Sequence, residues 1–127
     1  MIYSLLVLAA PSNGNNASAF AQAVLARGHS ISRVFFMDDG VYHGQGSSIT
    51  PQDERNPLDK WQSLHEDHGV ELVLCISSAL KRGILNSNEM QRYEKNAASM
   101  HSAFQIGGLG LLIDASAKSD RLITFGR

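Results

Sequence analysis

Residues 70–76 read Val-Glu-Leu-Val-Leu-Cys-Ile, with Glu71 the one charge in the run. A strand this apolar must be covered on both faces, as happens inside a parallel sheet. Parallel neighbours cannot be joined by a hairpin. Each needs a crossover of a dozen or more residues, usually a helix. This run therefore predicts a helix before it and another after it. Upstream, Pro57 suits the first turn of a helix, where its missing N–H costs nothing. Leu58, Trp61, Leu64, His65 and His68 then share one face at the 3.6-residue period, and Gly69 stops the helix. Downstream, Ser77 or Ser78 can cap a short helix through Arg82 that ends at Gly83.

The same alternation runs through the whole chain. Residues 2–9 form a short apolar run closed by Pro11, and residues 12–16 are turn-formers. Ala17, Phe20, Ala21, Val24 and Leu25 recur at helical spacing, with Asn16 as cap and Gly28 as stop. Residues 31–37 read as a second strand. Residues 41–56 are polar and Gly/Ser-rich, and read as a long exposed loop. Residues 84–102 read as broken helix, with Asn88 capping 89–95. Residues 104–106, 109–118 and 122–125 complete the set as strand, helix and strand. The expectation is an α/β chain, a three-layer α/β/α sandwich with a mainly parallel five-stranded sheet, forming a single domain over residues 1–127. Sites in such sheets lie at the carboxyl ends of the strands.

Composition narrows the function classes. Charged residues are 18% of the chain against a usual ~25%, and hydrophobic residues 43%. That argues against disorder and suggests a surface partly covered by partners. Net charge is -1, so no direct tight nucleic-acid binding is expected, because neutralising phosphates requires a basic excess. Residues 38–71 are acidic and residues 81–127 basic, which suggests distinct faces. No positive segment precedes the apolar residues 1–10, and no apolar run approaches the ~20 residues of a membrane span. No membrane association is therefore expected. One cysteine rules out an internal disulfide and a cysteine-rich zinc site, and fits a reducing cytoplasm.

That cysteine, Cys75, is the leading candidate. It lies in Leu72-Val-Leu-Cys75-Ile-Ser-Ser-Ala-Leu-Lys81-Arg82-Gly83, at a strand end just before a helix. N–H groups at such a helix start stabilise a thiolate and make it a nucleophile at neutral pH. Ser77 and Ser78 are candidate donors, and Lys81 and Arg82 candidate sources of positive potential or of attraction for an acidic partner. Standing alone, a cysteine in an apolar strand is most often a small buried hydrophobe. His43 and His101 can reach it only through the fold.

Weaker candidates are the Ser12–Asn16 segment as a flavodoxin-like phosphate loop, and Gly44-Gln-Gly-Ser-Ser48 as an anion-wrapping loop or mobile flap. Ordinary turn and flexible loop are the simpler readings. His65-Glu-Asp-His68 offers two histidines on one helix face but names no third metal ligand. Trp61, Met90, Tyr93 and Met100 read as core or interface. No resident cofactor is expected.

The segment 72–83 resembles the cysteine motif of the DsrE/TusD-like sulfur-relay family. So do Gly28-His-Ser-Ile-Ser-Arg-Val-Phe-Phe36 with Asp39-Gly-Val-Tyr42, Trp61 with His68-Gly-Val70, and Phe104-Gln-Ile-Gly-Gly-Leu-Gly110 with Ala115-Ser116 and Asp120-Arg121. The similarity spans nearly the whole chain and leans to the TusD side. Residues 13–16 and 44–56 depart from the family pattern. The resemblance implies a cytoplasmic sulfurtransferase subunit whose active cysteine is Cys75. Sulfur would travel as a persulfide toward 2-thiouridine at the tRNA wobble position. It also implies a heterohexamer with TusB- and TusC-like subunits, a TusA-like donor and a TusE-like acceptor. DsrE-type relatives serve sulfur oxidation instead, and a flavodoxin-like nucleotide-binding module is the other alternative.

Overall fold

The computed structural model describes residues 1–13 and 16–126. Gly14 and Asn15, on which the phosphate-loop reading of 12–16 partly rests, lie outside them. Five strands, β1 (Ile2–Val7), β2 (Ser30–Phe36), β3 (Glu71–Cys75), β4 (Gln105–Gly107) and β5 (Arg121–Phe125), form one sheet in the order β4-β3-β2-β1-β5. Every pairing is parallel. The helices are α1 (Asn16–Ala26), α2 (Pro57–His68), α3 (Ile76–Lys81), α4 (Ser87–Arg92) and α5 (Leu109–Lys118).

Handedness of the crossovers explains the layering. From β1 through β2 to β3 the chain steps one way across the sheet, and right-handed crossovers put α1 and α2 on the same face. From β4 the chain returns past three strands to β5, so α5 falls on the opposite face. The side chains follow suit. Leu5, Val7, Val34, Phe36, Leu72 and Leu74 pack with Ala17, Ala21 and Val24 of α1 and with Leu58, Trp61 and Leu64 of α2. Phe35, Val73 and Cys75 point the other way, toward Leu111 and Leu112 of α5.

Four expectations are corrected. The stretch 41–56 is not all exposed loop. Asp38–Gly44 winds into a 3-10 helix that buries Val41, His43 and Gly44. The supposed flap is tethered there too: Gly46 N–H donates to Ser99 O and His101 N–H to Gly44 O. His65 and His68 do not share the buried face of α2. Both are exposed, and a ring nitrogen of His65 is hydrogen-bonded to Val70 O at 2.9 Å. The helix in the 84–102 region starts earlier than expected, with Asn86 as cap rather than Asn88; the Asn86 side chain accepts from Glu89 N–H at 2.8 Å. The N-cap of α3 is Cys75 itself, ahead of Ser77 and Ser78.

Candidate functional site around Cys75

The last correction builds the site. β3 runs in extended conformation up to Cys75 (φ −59, ψ 123), and helical geometry begins at the next residue. The side chain of an N-cap residue faces the N–H groups two and three positions on. Here those positions are Ser77 and Ser78; the sulfur stands where a serine or aspartate oxygen usually does, but makes no capping hydrogen bond to their N–H groups. Ser77 Oγ lies 3.4 Å from Cys75 Sγ. Burial pushes the thiol pKa up, but the polar groups of Ser77 and Ser78 beside it, the Ser77 hydroxyl first, outweigh that. The net effect holds the thiol below its ordinary value. The sequence names these serines as donors. The structure puts the Ser77 hydroxyl in contact with the sulfur and both serines in the first turn of the helix that Cys75 caps.

The surroundings are apolar. Cys75 is 3% exposed and packs with Phe35 and Val73. It pairs in register with Gly107 of β4. A Cβ on Gly107 would lie 2.3 Å from Leu111 Cδ1 and 3.0 Å from Val73 Cγ1. Glycine at this place lets α5 close over the strand end beside the thiol.

The two basic candidates part company. Arg82 turns back onto the site: Nη1 donates to Ser78 O at 3.2 Å, and Nε and Nη2 reach Asp39 Oδ1 at 3.2 and 3.1 Å. Lys81 instead lines an open groove with Leu80, Leu85, Tyr93 and Lys95. The histidines are engaged elsewhere. Trp61 Nε1 donates to His43 Nδ1 at 3.1 Å, so His43 Nε2 carries the proton and donates to Ala9 O at 3.0 Å. Its ring packs on Phe36 and Trp61, on the α1/α2 face of the sheet. His101 Nδ1 accepts from Ala103 N–H, and its ring packs on Phe104.

One contributor is invisible to local sequence reading. Asp38 N–H donates to Ser78 Oγ at 3.0 Å, across forty residues. The clue is the Asp-Asp-Gly turn at the end of β2, the strand beside β3. Gly40 belongs to that turn and packs so close to β1 that a Cβ would sit 2.0 Å from Val7 O.

Among the described residues, no helix is long and apolar enough to cross a membrane. The DsrE/DsrF-like family model matches residues 1–125. A protein of Allochromatium vinosum named putative sulfurtransferase DsrE is 40% identical over 112 residues, covering 88% of this chain and 86% of that one. A protein of Pseudomonas aeruginosa named sulfurtransferase TusD homolog is 40% identical over 107 residues, covering 84% and 82%. The crystal structure of the ychN protein from E. coli superposes with a TM-score of 0.75 at 22% identity, covering 98% of this chain and all of that one, which speaks for the fold. With the cysteine at the strand end and the match running almost from end to end, the chain belongs to the DsrE/DsrF-like family.

Proposed function

We propose that this chain is a sulfurtransferase subunit that carries sulfur as a persulfide on Cys75, in a cytoplasmic relay leading to 2-thiouridine at the tRNA wobble position. The observation that carries the reading is one buried sulfur at the N-cap of α3 with the Ser77 hydroxyl 3.4 Å away, a setting that holds the thiol below its ordinary pKa and favours the thiolate. Relatives named sulfurtransferase support the class of reaction.

The relay has two balanced steps. Cys75 thiolate attacks the outer sulfur of a donor persulfide. A new S–S bond forms on Cys75, the donor's S–S bond breaks, and the donor cysteine leaves as thiolate. An acceptor thiolate then attacks the outer sulfur on Cys75, and Cys75 leaves as thiolate. No net oxidation occurs in either step. Leaving-group pKa governs both rates, so the serines that favour the Cys75 thiolate also speed its departure. With one cysteine, the chain cannot discharge its own persulfide as an internal disulfide. A TusA-like donor, a TusE-like acceptor and TusB- and TusC-like subunits complete the proposed assembly.

Intact mass after incubation with a persulfide donor tests the carrier role. Wild type gains one sulfur atom and Cys75→Ser gains none. A wild type that never gains sulfur overturns it. The destination is tested by the 2-thiouridine content of tRNA from cells lacking this chain, which drops if the relay feeds tRNA. Unchanged 2-thiouridine favours the sulfur-oxidation role instead.

A further inference from the structure

We infer that Arg82 is a positioning residue for the Cys75 sulfur, acting through Ser78 and held in place by Asp39. Three contacts carry this. Arg82 Nη1 donates to the Ser78 carbonyl at 3.2 Å. Arg82 Nε and Nη2 both meet Asp39 Oδ1, at 3.2 and 3.1 Å, which fixes the guanidinium against the 3-10 helix Asp38–Gly44. From the same helix, Asp38 N–H donates to Ser78 Oγ at 3.0 Å.

Ser78 is thereby gripped at both ends, its carbonyl by Arg82 and its hydroxyl oxygen by Asp38. A hydroxyl has one hydrogen and two lone pairs. Once Oγ accepts from Asp38 N–H, its hydrogen is turned away from that donor, and Ser78 stands three residues past Cys75 in the first turn of the helix that Cys75 caps. Ser78 is 6% exposed, so no solvent competes for it. The geometry at Asp38 is maintained against a cost: its φ is +51, in the left-handed region that residues with a Cβ avoid. The Asp39–Arg82 pair and the close seat of Gly40 on Val7 O hold that turn in place. The groups packed on the thiol from β2, β3 and α5 are apolar. The α5 charges Asp114 and Lys118 pair with each other, and Asp114 also with Arg33. Arg82 therefore shapes the donors around the sulfur and is not simply a positive charge at the surface.

This inference rests on Cys75 being the sulfur carrier for its purpose, but its test reads the thiolate directly. Alkylation of Cys75 by iodoacetamide, a small neutral reagent, is followed against pH for wild type, Arg82→Met, Ser78→Ala and the double variant. Arg82→Met is expected to move the profile to higher pH and slow alkylation at pH 7 about threefold, the effect of roughly half a unit in thiol pKa. The shift persists in 0.5 M KCl and shrinks in the Ser78→Ala background, because the two act through one hydrogen-bond network. Asp39→Asn reproduces the direction with less disturbance if Arg82→Met folds poorly. An unmoved profile in both variants overturns the inference. So does a shift that salt abolishes, which makes Arg82 a bare charge, or one that adds fully to Ser78→Ala. Failure of sulfur loading with a shifted profile would count against the carrier role and leave the positioning intact.

Discussion

On the α1/α2 side of the sheet, Trp61, Phe36, Leu72 and Leu74 are almost completely buried, and Phe36 meets the rings of His43, Trp61 and Phe104. On the α5 side the buried set is Phe35, Val73 and Cys75, with Leu6, Met37, Leu111 and Leu112 only partly covered. One helix covers this second face, and it is held at its polar margin. Arg33 reaches Leu111 O at 2.8 Å, Asp114 Oδ2 at 3.1 Å and Glu71 Oε2 at 2.7 Å. Burial works to lower the Arg33 pKa, but Glu71 and Asp114 more than offset it, and Lys118, with Arg33, holds the Asp114 carboxyl below its usual value. The two faces teach a division of labour. Aromatic packing on one side fixes the sheet, so the other side can keep its thiol under a thin cover.

The largest break in that comparison is expected from Trp61→Ala. Truncating a fully buried tryptophan costs about 3–5 kcal/mol, and here it also removes the donor to His43 Nδ1. Urea unfolding measures the loss. Cys75 alkylation in the molecules that remain folded is expected to stay at the wild-type rate, since the ring and the thiol lie on opposite faces. A loss under 1 kcal/mol would mean that the α1/α2 face does not carry the fold.

Acid tests the same face by another route. Burial among Phe36 and Trp61 pushes the His43 pKa from 6.5 down to about 4. Its hydrogen-bond partners are the Ala9 carbonyl and the Trp61 indole, neither of them charged. The unfolded chain therefore binds this proton more readily than the folded one. The contribution is complete above pH 6.5 and fades as pH falls toward 4. The integrated loss is about 3 kcal/mol by linkage. Comparing unfolding free energies of wild type and His43→Gln between pH 7 and pH 4 isolates it: the advantage of wild type shrinks as pH falls. A pH-independent difference would show that His43 is not held neutral by burial.

The sequence reports these faces unevenly, and the reasons are physical. The apolar run ending at Cys75 announces a parallel strand because cover on both sides is a local property of the sequence. Helical spacing marks α1, α2 and α5 for the same reason. The strand order is not legible, since it depends on which way each crossover turns. His43 looks like a loop residue among glycines. Its burial comes from the 3-10 helix, for which Val41 and Tyr42 were the faint apolar signal. At Cys75 the serines are the better caps by propensity, yet the direction of the chain leaving β3 decides the cap. Asp38 and Arg82 acquire their roles only once β2 and β3 lie side by side.

The smallest expected effect sharpens the comparison from the thin side. Ile113 is 69% exposed, in the middle of α5, and Leu109 one turn earlier is 55% exposed. Serine and isoleucine have similar helix propensity, so Ile113→Ser changes little besides apolar surface already in water. The stability of the isolated chain is expected to stay within about 0.5 kcal/mol of wild type, read from the same urea curves. Buried side chains such as Trp61 behave otherwise because removing them leaves unfilled volume, while Ile113 leaves none. A loss above 1 kcal/mol would require Ile113 to pack against the rest of the chain. The α5 face would then be a closed core like its opposite, and Cys75 would lie under more than one thin layer.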